Sequence, residues 1–443
     1  MSAVRATRLL RLRLVLACAA SLPLLGGCSE TDLLGAHFVT TPVTSVEAGE
    51  EYSYAARSAG VQPSLKTYTL LTAPAGMTVS ASGLVSWTPT FAELGIDSVR
   101  LQVSDGEHTD VQSWDITVHQ DLLFGVNYSP LGHTGSTTQM DESDFAAEHK
   151  DFGKLVGYMG NWRDSEASAG TIPSFASAAM VQAASSGFVP VIGFRWADSN
   201  GAPDLTSDGI TFGTAPNSWA NQETRDEFLM MVEGFASTYA PRYLYLGYEV
   251  NTWSLANPGH WPDWLSQLEE CTEAIKAVSP NTFVFTTFQY EHMQGLGENQ
   301  GWVDADQWTL VDDLESGAFL DGVGFTSYPH FEYDTPALIP ADYYDEIGMH
   351  WTGQILFPEL GWPAVVDGAF PGSPTQQDDM MSGFMTRIEG LPIELAMWLY
   401  LHDFDGQAGT PGFMDIGMRS NDGMVVRPSE ATWKTATDLR ERP

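Results

Sequence analysis

Cysteine is nearly absent from this sequence, with three in 443 residues. Cys18 and Cys28 lie close to the N-terminus, and Cys271 stands alone within a helical pattern, where it suits a small core residue. No cysteine pair is left in the body of the chain, which excludes a disulfide framework and a cysteine-based metal site. Basic residues are also scarce, 20 Lys and Arg against 57 Asp and Glu, for a formal net charge of −37. A phosphate backbone would be repelled, so nucleic acid is not an expected partner, and the acidity reads as a solvated surface. No His-Glu-x-x-His pattern, close histidine pair or Gly-x-Ser-x-Gly elbow occurs, which argues against zinc peptidase and serine hydrolase chemistry. Asp403-Phe404-Asp405-Gly406 opens like a calcium loop, but Met414 stands where the closing bidentate Glu belongs. No metal and no cofactor is therefore expected. The apolar stretch at 14–25 is too short and too early for a spanning helix of the mature protein.

That early stretch has its own meaning. Arg5, Arg8, Arg11 and Arg13 precede it, and Leu25-Gly26-Gly27-Cys28 follow it, as in an export signal. The ending resembles the bacterial lipobox, in which cleavage precedes the cysteine and its thiol carries a lipid. The resemblance implies lipidation at Cys28, a membrane anchor at the N-terminus and an extracytoplasmic location, with the outer membrane or cell surface favoured. Residues 29–36 are then a tether.

From 37 to 120 the chain reads all-β. Runs such as Ser98-Val99-Arg100-Leu101-Gln102-Val103 alternate polar and apolar residues, and Ser104-Asp105-Gly106 is a turn. A small β-sandwich is expected. Pro74-Ala75-Gly76 followed by Gly83 and Trp87-Thr88-Pro89 resembles the Ig-like, cadherin-like modules of bacterial proteins. That resemblance implies a spacer or adhesion module, with Trp87 as a core anchor.

From 122 to 443 strands and helices alternate. Strands are predicted at 123–128, 154–159, 189–194, 243–249, 282–288, 322–327, 355–359 and 395–401. Helices are predicted at 144–152, 174–186, 222–239, 262–278, 341–349, 375–391 and 428–442, with the weakest pattern at 305–316. Eight such units in about 320 residues point to a (β/α)8 TIM barrel, an α/β fold. A doubly wound open sheet is the alternative, but Gly125-Val126-Asn127-Tyr128 follows the first strand where that fold needs a glycine-rich phosphate loop.

The barrel places its site at the C-terminal strand ends, and those ends carry Asn127, then Asn161, Trp162 and Arg163, then Arg195 and Trp196. They continue with Glu249, Asn251 and Trp253, with Gln289, Tyr290 and Glu291, with Tyr328 and His330, with Glu359 and Trp362, and with Trp398. Glu249 and Glu359 end strands four and seven, across the barrel mouth from each other. Glycoside hydrolysis needs one carboxylic acid to protonate the leaving oxygen and one carboxylate on the other side of the sugar.

Glu249-Val250-Asn251 and Glu359-Leu360-Gly361-Trp362-Pro363 resemble motifs of the retaining glycoside hydrolases with (β/α)8 barrels, among them endo-β-1,4-galactanases and β-1,3-glucanases. The resemblance implies Glu249 as acid/base, Glu359 as nucleophile, Tyr328 as a hydrogen-bond donor to the nucleophile, and Trp398 as the floor of the reacting subsite. It implies an endo-acting enzyme on a polysaccharide or oligosaccharide, and a monomer is expected. In that clan an Asn precedes the acid/base, and here Tyr248 stands there. The departure leaves open whether Asn251 or Asn161 contacts the sugar; separately, Tyr328 with Arg163 or Arg195 is expected to keep Glu359 ionised. It also motivates a second reading, a non-catalytic carbohydrate-binding or adhesion lipoprotein.

Overall fold

The computed structural model describes residues 36–120, 122–129, 148–162, 170–196, 219–256, 258–297, 306–404 and 412–441. Cys28, Arg163, Asp405 and Gly406 lie outside the described residues.

The N-terminal strands form a sandwich. One sheet orders Ser45–Glu47, Thr109–His119, Gly95–Ser104 and Thr67–Thr72; the other orders Tyr52–Ala55, Leu84–Trp87 and Thr78–Val79. Residues alternate between buried and exposed along Tyr52–Ala55, as a half-buried strand requires. Both sheets feed one core that includes Tyr52, Trp87, Leu101 and Trp114. The two indoles bury their N–H groups with partners: Trp87 Nε1 donates to the Ala75 carbonyl at 3.1 Å and Trp114 Nε1 to the Tyr52 hydroxyl at 3.1 Å. Trp87 is thus the core anchor that the resemblance implies.

The second part is a closed parallel barrel of eight strands in chain order: β1 (Leu123–Asn127), β2 (Leu155–Asn161), β3 (Val189–Arg195), β4 (Tyr243–Leu246), β5 (Phe283–Gln289), β6 (Gly322–Ser327), β7 (Gln354–Leu360) and β8 (Ile393–Trp398). Pairing of Leu123 with Leu395 and of Val126 with Trp398 closes the ring, so the open-sheet alternative is discarded. The helices used below are α1 (Ser174–Ser186), α2 (Gln222–Tyr239), α3 (Val250–Ala256), α4 (Trp261–Val278), α5 (Thr309–Gly317), α6 (Pro374–Arg387) and α7 (Pro428–Arg440). Side chains cap two of them: Asn221 accepts from the Glu223 N–H, and Ser373 from the Gln376 N–H.

Two expected helices differ. Residues 341–349 yield only Ile347–His350, preceded by turns that carry the buried Tyr343 and Tyr344. Of 144–152, the described part is a single tight turn, His149–Phe152. At the junction of the two parts, Arg440 on α7 donates to Gln120 Oε1 at 2.8 Å.

The barrel strands are buried on both faces. Inside, Leu123, Leu155, Val191, Tyr243, Tyr245, Phe285, Leu356, Leu395 and Met397 fill the lumen. Outside, residues such as Phe124, Val156, Ile192, Leu244 and Ala396 pack under the helices. Gly193 makes the inner layer possible, since a Cβ there would stand 1.9 Å from the Tyr245 ring. Tyr245 therefore lies across the lumen as the floor beneath the strand ends.

Candidate active site

The strand carrying Glu249 stops earlier than its sequence suggests. β4 ends at Leu246, and the chain bends through Gly247 (φ 81°) and Glu249 (φ 48°) into α3. A left-handed non-glycine residue costs on the order of 1 kcal/mol, so the surroundings must hold it. The Glu249 N–H donates to Thr287 Oγ1 at 3.0 Å. Asn251 is fully buried and uses both ends of its amide on the Gln289 backbone, donating to its carbonyl at 3.0 Å and accepting from its N–H at 2.9 Å. Asn251 thus ties the bend to β5 and does not face a ligand. Behind the bend four indoles pack together, Trp196 against Trp219, Trp253 and Trp264 at centroid distances of 4.8–5.3 Å. Backbone strain placed on a carboxylate at a strand end is a mark of a functional site.

Glu359 lies near the end of β7 and is 5% exposed. Two phenols donate to its Oε2: Tyr328 from just after β6 at 2.6 Å, and Tyr248 from the bend at 2.9 Å. Asn127 on β1 donates to the carbonyl of the preceding Pro358 at 3.0 Å and so fixes the backbone that carries Glu359. Glu249 is bound from the other side. Thr326 donates to its Oε1 at 2.6 Å, and Thr326 is itself the ladder partner of Glu359 between β6 and β7. The two carboxyl groups are thus held together through one residue of a shared strand pair.

Burial raises the pKa of both groups. Glu249 is pushed up to about 8, first by desolvation and then by the negative charge of Glu359. Glu359 rises to about 7 by desolvation, held back by the Tyr328 and Tyr248 hydroxyls and the Arg195 charge. Hydroxyl donors favour the charged form of both groups; the order follows because Arg195 adds to this at Glu359, while the Glu359 anion disfavours the charged form of Glu249. Arg195 is placed by Asn161, whose Oδ1 accepts from its Nε at 3.0 Å across β2 and β3. With Arg163 outside the described residues, Arg195 is the cation seen to act on Glu359.

Several expected site residues have other roles. Trp162 packs edge-on against Phe228 of α2. Trp196 and Trp253 belong to the indole cluster behind Glu249. Trp362 is fully buried in the outer core. Trp398 points outward, donating to the Ile416 carbonyl at 2.8 Å and packing on Trp433 of α7, so it does not floor the reacting subsite. His330 sits among Tyr328, Phe331, Trp362, Phe370 and Phe413. Burial lowers its pKa to about 3 and keeps it neutral within that aromatic cluster. Asp403 is held by Arg427, whose Nη1 donates to Oδ1 at 2.6 Å and Nη2 to Oδ2 at 2.5 Å, and its Oδ1 also accepts from the Gly417 N–H at 3.0 Å.

Sequence reasoning missed three participants and gave a fourth no role. Tyr245 and Thr326 carried no signal beyond lying in strands. Half-buried Tyr400, after β8, lies within electrostatic reach of Glu359. Fully buried Glu291 accepts from Ser327 Oγ at 2.7 Å, the Tyr328 N–H at 2.9 Å and Tyr343 at 3.0 Å. Burial raises its pKa, and its bonds fix the segment that delivers Tyr328. Its position at the end of the fifth strand singles it out in the sequence without giving it a role.

The family described as "Putative Ig domain" matches residues 36–119. No curated protein matches the chain. Among solved structures, GH5_18 from Bifidobacterium longum subsp. infantis is similar with a TM-score of 0.54 at 13% identity, covering 73% of this chain and 80% of that one. GH5_18 from Streptomyces cattleya, in complex with GlcNAc, gives 0.53 at 13% identity, covering 73% and 83%. The exo-β-1,4-mannosidase Op5Man5 from Opitutaceae bacterium strain TAV5 gives 0.51 at 13% identity, covering 71% and 59%. These neighbours are glycoside hydrolases, and at such identities the likeness is one of fold.

Proposed function

We propose that this chain is a retaining glycoside hydrolase acting on a polysaccharide or oligosaccharide, with Glu359 as nucleophile and Glu249 as acid/base. One observation carries the reading: a buried and a half-buried carboxyl group facing each other at the barrel mouth, linked through Thr326, with Glu249 the harder to ionise. In the first step Glu359 Oε1 attacks the anomeric carbon. The bond to the leaving oxygen breaks as that oxygen takes the Glu249 proton. In the second step Glu249 takes a proton from water, the water oxygen attacks the same carbon, and the ester bond returns its electrons to Glu359. Retention requires a carboxyl separation of about 5–5.5 Å, since no water stands between sugar and nucleophile in the first step. Tyr328 and Arg195 lower the cost of the charge on Glu359. The chemistry asks for no metal or cofactor.

The non-catalytic reading rested on Tyr248, and Tyr248 donates to Glu359, which favours the catalytic one. Release of reducing sugar across a panel of plant, algal and microbial polysaccharides tests the choice. Binding without release at every pH and salt concentration tried would overturn the hydrolase reading. Analysis of fragment lengths from a cleaved polymer decides whether action is endo, as the motif resemblance suggests.

The acid/base pair fixes the expected pH dependence. The active form has Glu359 ionised and Glu249 protonated, so kcat/KM should be bell-shaped, with limbs near 7 and 8 that belong to the coupled pair. Below the acidic limb the rate should fall about tenfold per pH unit as Glu359 takes up a proton, and above the alkaline limb by the same factor as Glu249 loses its own. A profile centred near pH ~5, where unperturbed carboxyls titrate, would contradict this environment.

The anchor at Cys28 is part of the same proposal and rests on the lipobox resemblance. It would hold the barrel outside the membrane with the Ig-like part between them. The Cys28→Ser variant should appear in the soluble fraction without acyl label, whereas the wild type should carry label and sediment with membranes. Equal fractionation of the two, with no label on either, would discard the anchor.

A further inference from the structure

Tyr248 stands between the two carboxyl groups. Its hydroxyl donates to Glu359 Oε2 at 2.9 Å, and Tyr328 donates to the same oxygen at 2.6 Å. A carboxylate oxygen offers two lone-pair sites. Two short phenol bonds occupy both, and among the described residues none donates to Oε1. Two consequences follow. Oε1 is the oxygen free to attack. Oε2, the oxygen that would lie beside the hydroxyl on the neighbouring sugar carbon, has no lone pair left for it.

The environment of Tyr248 keeps it in place. Its ring is half-buried and packs with the lumen residues that include Tyr245 and Met397. Its backbone is fixed on one side by the Gly247 bend and on the other by the Glu249 N–H bond to Thr287. Burial and the two nearby carboxylates hold the phenol protonated, raising its pKa well above the ordinary value, so it acts as a donor across the working pH range.

Resting on the hydrolase reading, we infer that Tyr248 is a positioning and specificity-determining residue: it commits Glu359 Oε2 to the protein and frees the enzyme from dependence on the sugar C2 hydroxyl. The substrate class this favours is a sugar whose C2 position is substituted or deoxygenated as readily as hydroxylated. In retaining hydrolases generally, bonds to that hydroxyl strengthen in the transition state and supply a large part of the rate. Here the Tyr248 phenol supplies a permanent donor in its stead.

The test compares wild type with Tyr248→Phe on dinitrophenyl β-glucoside and β-galactoside, each with its C2-deoxy counterpart, alongside a carboxyl-carbon NMR titration of glutamate-labelled protein. For the wild type, kcat/KM should differ less than about tenfold between each hydroxylated and deoxy pair, and Tyr248→Phe should widen the gap to roughly 100-fold as Oε2 becomes available to the substrate. The titration should show the lower of the two site pKa values rising by about one unit in Tyr248→Phe, because a donor to the charged form is lost. A wild-type gap of about 1000-fold or more, unchanged in the variant, would overturn the specificity claim. An unmoved titration would overturn the positioning claim. If the wild type cleaves none of these glycosides and no polysaccharide, the hydrolase reading falls and takes the specificity claim with it, while the titration still decides whether Tyr248 holds Glu359.

Discussion

Glu359→Ala is expected to lower the release of reducing sugar by about 10,000-fold or more, to the background of the uncatalysed reaction. Among the described residues no other carboxylate is placed to replace the nucleophile. Glu291, the other carboxylate close behind Tyr328, is fully buried and bound to Ser327, Tyr328 and Tyr343. Glu249, in the proposed mechanism, serves the leaving group and not the anomeric carbon. The loss should not come from unfolding. Glu359 is buried with a raised pKa, so its charge disfavours the folded state and the variant should melt no lower than the wild type at alkaline pH. The sign is fixed by the shift: the folded state holds the Glu359 proton up to about pH 7, whereas the unfolded chain releases it near the ordinary value, so stability from this group falls as pH rises through that interval. Melting curves recorded beside the assay separate lost chemistry from lost structure. Wild-type activity in a well-folded Glu359→Ala protein would remove Glu359 from the mechanism.

Glu249→Ala should behave differently, and the difference identifies its role. A poor leaving group needs the Glu249 proton, so polysaccharide cleavage should fall about 1000-fold. A dinitrophenolate leaves without protonation, so formation of the glycosyl-enzyme from a dinitrophenyl glycoside should continue at close to its normal rate. The intermediate should then accumulate, because water attacks it without a base. Azide, which needs no base, should restore turnover and give a glycosyl azide of retained configuration. Equal losses on both substrates, with no response to azide, would deny Glu249 the acid/base role. Removing Glu249 also relieves the left-handed backbone at a non-glycine position only if the replacement is glycine, so Glu249→Gly is a useful second variant with the same loss and less strain.

Much of the barrel was legible because its strands are buried on both faces and so appear as short apolar runs between helical patterns. β3, predicted at 189–194, runs Val189–Arg195, and β6, predicted at 322–327, runs Gly322–Ser327. The same double burial hid which way each side chain points. A strand with one wet face shows its orientation by alternation, whereas Trp398 looks the same whether it floors a subsite or, as found, packs outward on Trp433. Trp162, Trp196 and Trp362 were misplaced for that reason. The two glutamates were legible because a carboxylate after an apolar run is rare without a use.

Tyr248 was misread for a different reason. In sequence it is the residue that replaces an expected Asn, and the bond that gives it meaning crosses to Glu359, 111 residues away. Thr326 and Tyr245 are invisible for the same reason, since each matters only through a partner on another strand. The bend at Gly247 could be anticipated as a close approach, but not its continuation into a left-handed Glu249, which depends on Thr287 and Asn251 receiving the backbone.

The most direct measurement is the anomeric configuration of the first-formed product, followed by proton NMR before mutarotation on whichever substrate the panel identifies. Two carboxyl groups joined through Thr326, one ionised and one protonated, should give a product with the configuration of the substrate. A product of inverted configuration would contradict Glu359 as a nucleophile.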